Sequence, residues 1–168
     1  MAEPVYLTLE RVSNDNPPSR EQIEGDSTVT SLDRENTIEC LAFEVEGHVP
    51  VSERAAIGRR RYKPLRVRKM IDRSTPLLAR AFAENARVDG TFRFYRADPG
   101  GSGSTQQYFT VAITDARIVS IRLLAFDTFD PETTGHPQLD EVTFVFETIT
   151  WTFTETGVEH SDTWTNVN

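Results

Sequence analysis

Cysteine is nearly absent from this sequence. Cys40 stands alone among 168 residues, so no disulfide can form within the chain and no cysteine-based zinc knuckle can be built. Its neighbours in IECLAF have the character of a strand, where it reads as a small buried hydrophobe and not a nucleophile. Long apolar runs are missing as well. No stretch approaches the roughly 20 residues that cross a bilayer, and the opening MAEPVYLTLERV lacks the basic-then-apolar order of a secretory signal. Such a chain is expected to be made in the cytoplasm, not to insert into a membrane, and to reach the outside without a cleaved leader.

Catalytic signatures are wanting too. The sequence has no HExxH, no GxSxG and no EF-hand loop. His48, His136 and His160 fall in three separate segments, none with a partner at zinc-like spacing. ADPGGSGSTQQ, from Ala97 to Gln107, is rich in glycine but lacks the lysine and following helix of a phosphate loop, and reads as a hairpin linker. No enzyme, cofactor or metal site is expected.

The net charge of −8 argues against nucleic-acid binding. Its distribution says more. Residues 59–96 carry twelve of the eighteen basic residues and three acids, a local balance of +9, which leaves −17 for the rest. Acidic loops folding back over basic strands would account for this; so would a basic face on one copy meeting an acidic face on the next, an arrangement that generates rings or filaments.

What is present is mostly strand. Val5, Leu7 and Leu9 alternate with Tyr6, Thr8 and Glu10 in a first strand. Residues 13–36 form a polar loop interrupted by Pro17-Pro18, with a short strand expected near Ser27 to Leu32. In TIECLAFEVE the apolar phase shifts between Cys40 and Leu41, which points to a bulge or to burial on both faces. Leu65, Val67 and Ile71 alternate with Arg66 and Arg68. One helix is expected at about 75–87: Ser74 or Thr75 offers a cap, Pro76 fits the first turn, and Leu77, Leu78, Ala81, Phe82 and Asn85 make one face. Phe92, Phe94 and Tyr95 mark the next strand. Phe109, Val111 and Ile113, then Val119, Ile121 and Leu123, read as two strands meeting near Asp115-Ala116. Val142, Phe144 and Phe146 sit on even positions and Ile149, Trp151 and Phe153 on odd ones, so that strand should bend near Glu147-Thr148, to serve two sheets or to turn a barrel corner.

Residues 47–62, GHVPVSERAAIGRRRY, lie between two strong strands and read as a protruding loop. Val49, Val51 and Ile57 would offer apolar contacts there, and Glu53, Arg59, Arg60 and Arg61 polar ones. Trp164 stands in polar company near the C-terminus, placed either to dock into a neighbour or to fold back on its own core.

The runs KPLRVRKMIDRSTPLLARAF, FRFYRADPGGSGSTQQYFTVAITDARIVSI and LDEVTFVFETITWTFTETGVEHSDTW, in that order, resemble the hemolysin-coregulated protein (Hcp) family of bacterial type VI secretion systems. The resemblance implies a mainly β fold over residues 1–168: two antiparallel sheets in a barrel-like arrangement with one α-helix packed on the side. It also implies a homo-oligomer, a hexameric ring stacking into a hollow tube, with residues 47–62 reaching towards the next ring. A contractile sheath, a spike protein and effectors would be its partners, and the tube would be secreted on contraction. The same architecture would serve the tail tube of a phage-like or extracellular injection particle. A small β-barrel ligand binder, with residues 127–138 shaping a pocket, is the reading from another class.

Overall fold

One strand, β10 (Thr105–Leu124), organises the molecule. In this computed structural model, which describes residues 3–164, β10 is a single 20-residue strand and not two. Its first half pairs with β12 (Thr148–Phe153) and its second with β11 (Leu139–Val145), both antiparallel. The break between β11 and β12 falls at Phe146-Glu147, where the expected phase change lies. Opposite it, Asp115 adopts φ 49°, and the register against the preceding strand slips between Ile113 and Ala116. The two strands therefore bend together. The slip moves the buried phase from Val111 and Ile113 to Ala116 and Ile118, leaving Val119 and Leu123 exposed where simple alternation had set them inward.

Around this hairpin run β1 (Val5–Val12), β3 (Ile38–Glu44), β8 (Leu65–Met70) and β9 (Arg87–Ala97). Each strand in the order β10, β11, β8, β3, β1, β9 is hydrogen-bonded to the next, and β9 returns to β10, so six antiparallel strands close a barrel. The remaining strands extend it: β2 (Arg20–Ile23) borders β1, and β13 (Val158–Thr163) borders β12 in a sheet that leaves the barrel at the bend. Alternation aims Leu7, Leu9, Ile38, Leu65, Val67, Phe92 and Phe144 inward, all at most 2% exposed, and they fill the interior. The expected bulge in β3 lies between Cys40 and Ala42 and turns Leu41 outward.

The helix, α1 (Ser74–Ala83), links β8 to β9 and sets Leu78 and Ala81 into the core. It stops four residues short of the expected end, because Asn85 takes φ 48° and Arg87 already pairs in β9. Its buried face is also narrower: Leu77 and Phe82 are exposed, as is Ile71, which lies past the end of β8. Neither Ser74 nor Thr75 caps it. Asp72 does, with Oδ1 accepting from the Ser74 amide at 2.9 Å, since a charged oxygen outcompetes a hydroxyl for a free helix amide. Pro76 is then the third helical residue, still within the turn where no amide donor is required.

Lys69 occupies the inward position after Val67 and is 1% exposed. Its ammonium donates to Asp72 at 2.7 Å and to the Thr75 hydroxyl at 3.0 Å, and lies 3.1 Å from Asp140 on β11. The Thr75 hydroxyl donates in turn to Asp140 at 2.7 Å. One buried charge cluster thus ties β8, the helix start and β11 together. Burial alone would raise the Asp72 pKa, but hydrogen bonds from Lys69 and Ser74 outweigh it and hold the carboxyl below its ordinary value.

The segment before β3 is no free loop, and it has no strand at 27–32. A 3-10 turn at Ser31–Asp33 positions Arg34, whose guanidinium lies over the rings of Tyr6 (5.2 Å) and Tyr95 (4.7 Å) on the outer face of the barrel. Gly25 makes this close approach possible, since a Cβ there would lie 2.4 Å from the Thr37 carbonyl oxygen. Gly25→Ala should therefore cost about 1–3 kcal/mol in urea unfolding. An unchanged midpoint would show that the segment yields freely.

Candidate assembly interface

Residues 47–62 form a two-tier hairpin arm between β3 and β8. Its lower tier pairs β4 (Gly47–His48) with β7 (Arg61–Tyr62), and its upper tier pairs β5 (Val51–Ser52) with β6 (Ala55–Ala56). Glu53 turns the tip with φ 51°. Val49, Val51, Glu53, Ile57, Arg59, Arg60 and Arg61 are all exposed, Val51 by 73% and Ile57 by 55%. A two-stranded ribbon without a core is marginal on its own, so the attachment at its base decides how the arm is held.

That base is built from three aromatic rings and one carboxylate. The Tyr62 ring lies 5.5 Å from Phe146, at the bend, and 6.4 Å from Trp164, which itself meets Phe146 edge-on at 4.9 Å. Asp162 on β13 accepts from the Tyr62 hydroxyl at 2.8 Å and pairs with the Arg60 guanidinium. The hydrogen bond from Arg60, reinforced by that from Tyr62, holds Asp162 at about 2 against the opposing pull of burial. Beside it, Lys63 pairs with Glu46 at 2.9 Å. Of the sequence-derived interface residues, then, six lie on the open arm, Arg60 lies on the arm but is turned to its own chain, and Trp164 folds back to hold the base. Asp162 was not anticipated: nothing in HSDTW marks its aspartate as the partner of an arginine about a hundred positions earlier.

The opposite end of β8 and β11 carries residues 125–138. The register sets Leu65 against Phe144 at the arm end and Met70 against Leu139 at the other. His136 packs edge-on against Phe126 at 5.1 Å, His48 lies in the arm and His160 in β13. Among the described residues no three His, Cys, Asp or Glu side chains are grouped to hold a metal ion. Cys40 is fully buried, which pushes its thiol up to about 12.

A family profile described as "Type VI secretion system effector, Hcp" matches residues 6–153. The chain belongs to the Hcp family. It is 32% identical over 108 residues to the "Major exported protein" of Pseudomonas aeruginosa, a match covering 64% of this chain and 62% of that relative's length. A tryptophan double mutant of an Hcp protein from the E. coli EAEC 042 pathovar superposes with a TM-score of 0.79 at 28% identity, over 97% of this chain and 99% of the other. A secreted Hcp protein from Pseudomonas aeruginosa gives 0.73 at 22% identity, over 98% and 100%, a likeness of fold. The mainly β architecture with one helix is thus that of Hcp proteins. No helix among the described residues is long and apolar enough to cross a membrane.

Proposed function

We propose that this Hcp-family chain is a structural subunit of the type VI inner tube. Six copies close a ring, rings stack into a hollow tube, and contraction of a surrounding sheath expels the tube with its spike and effectors. The protein acts mechanically, without turnover, and leaves the cell in this way. The observation that carries the reading is the arm: an exposed hairpin with apolar and basic side chains, fastened at its base. The filled barrel interior supports it too, since a ligand binder would keep that volume open.

Sedimentation of the purified protein should give a species six times the 19.0 kDa subunit, with negative-stain images showing rings and short stacks. Raising salt to about 1 M, where the screening length is roughly 3 Å, should shorten the stacks while leaving rings. A monomer at high concentration and low salt would defeat the proposal.

A further inference from the structure

Phe129 is 92% exposed, more than any other large apolar side chain described. It is not on a slack loop. Its amide donates to Asp127 Oδ1 at 2.8 Å, the Thr133 hydroxyl donates to the Asp127 carbonyl at 3.0 Å, and the Thr134 hydroxyl and amide both donate to the Asp130 carbonyl, at 2.7 and 2.9 Å. These bonds fix the turn and leave the ring outside it. An aromatic held in place before binding loses little conformational freedom on contact, which is the character of an interface anchor.

We infer that Phe129 and its loop are the seat for the arm of a second copy in the adjacent ring; this rests on the tube reading above. Three observations identify the occupant. First, the arm leaves β8 at Leu65 and the loop precedes β11 at Leu139, beside Met70, so they sit at opposite ends of a six-residue strand, roughly 17 Å apart. Surfaces on opposite ends of one subunit meet only between copies, head to tail, and such contacts repeat without limit. Second, the charges are complementary. Residues 47–62 hold four arginines, of which Arg60 is already paired with Asp162, and one glutamate; residues 125–138 hold three acids and no lysine or arginine. Asp127, Asp130 and Glu132 make no salt bridge among the described residues. Third, each side offers apolar surface of its own: Val51 and Ile57 on the arm, Phe129 on the loop. The contact is then an aromatic ring between aliphatic side chains with a rim of opposite charges, the rim setting register and encounter.

Two variants test it, each at an exposed position where the fold is not at stake. Phe129→Ser should shorten stacks several-fold in electron micrographs while the ring species and the thermal midpoint stay as in the parent protein. Phe129→Cys protein mixed with Ile57→Cys protein, one carrying a size tag, should give a mixed disulfide on non-reducing gels when a mild oxidant such as oxidised glutathione is added under conditions where the parent stacks; buried Cys40 does not compete. Stacks of parental length in Phe129→Ser, or no mixed disulfide from stacked samples, would overturn the arm-to-loop contact and leave the tube reading standing. If the parent protein forms no stack at all, the tube reading falls and this contact with it.

Discussion

Replacing Lys69 by methionine is expected to lower stability by about 3–5 kcal/mol, the cost of leaving buried carboxylates without their cation. Methionine matches the length and fills the space, so the loss is electrostatic and not a cavity. Asp140 is 1% exposed, with Oδ1 already lacking a partner among the described residues, and Asp72 would lose the ammonium at 2.7 Å. For a chain of this size the thermal midpoint should fall by about 6–20 °C. The pH dependence separates this from simple misfolding. In the parent, the Asp72 pKa is depressed in the folded state; its contribution is present above the unfolded value of about 3.9 and is lost as pH falls through the folded one. In the variant Asp72 keeps the burial that raises its pKa and loses the ammonium that lowers it, so its charged form opposes folding at neutral pH and ceases to as it protonates. The gap between the two proteins should therefore narrow as pH drops from 7 towards 4. Urea titrations at several pH values measure this; a gap that stays constant would mean that solvent reaches the site.

Trp164→Ala is expected to release the arm. The indole packs against Tyr62 and Phe146 and is only partly exposed, so its removal should cost about 2–3 kcal/mol, below the range for a fully buried aromatic. The larger effect is local. Arg59, Arg60 and Arg61 are trypsin sites on a ribbon whose protection depends on its base, and local opening controls cleavage there. First nicking within 59–61 should quicken at least tenfold, before the barrel itself unfolds. Asp162→Asn should do the same more weakly, because Arg60 is half exposed and its pairing screened. Since the Asp162 pKa lies at about 2 in the folded protein, that stabilisation is complete above about pH 4 and fades as pH falls through about 2. Equal trypsin rates for parent and Trp164→Ala would show that the arm is held by its own hydrogen bonds.

Much of this fold can be read in the chain where apolar side chains alternate without interruption. The phase change in TIECLAFEVE and the flip near Glu147 announced a bulge and a bend, and both are there. At Asp115 the alternation breaks, which in sequence looks like two strands meeting; the structure carries one strand through it with Asp115 at φ 49°, and only the facing bend in β11 and β12 shows why. Lys69 illustrates the other limit. Alternation aims it inward, yet a lysine has no place on an apolar face until Asp140, distant in sequence, is seen beside it. The arm was legible as a protrusion; its anchoring was not, because Arg60 looks like its two neighbours in sequence and nothing there shows that it faces Asp162. Phe129 carried a weak signal, a second aromatic three residues after Phe126 among proline, threonine and acids.

The continuity of β10 has a mechanical meaning. Because one unbroken backbone runs through both the barrel and the outer sheet, a thrust applied at either end passes along covalent bonds and loads its lateral hydrogen bonds in shear, many at once. A subunit made this way would move as a rigid strut.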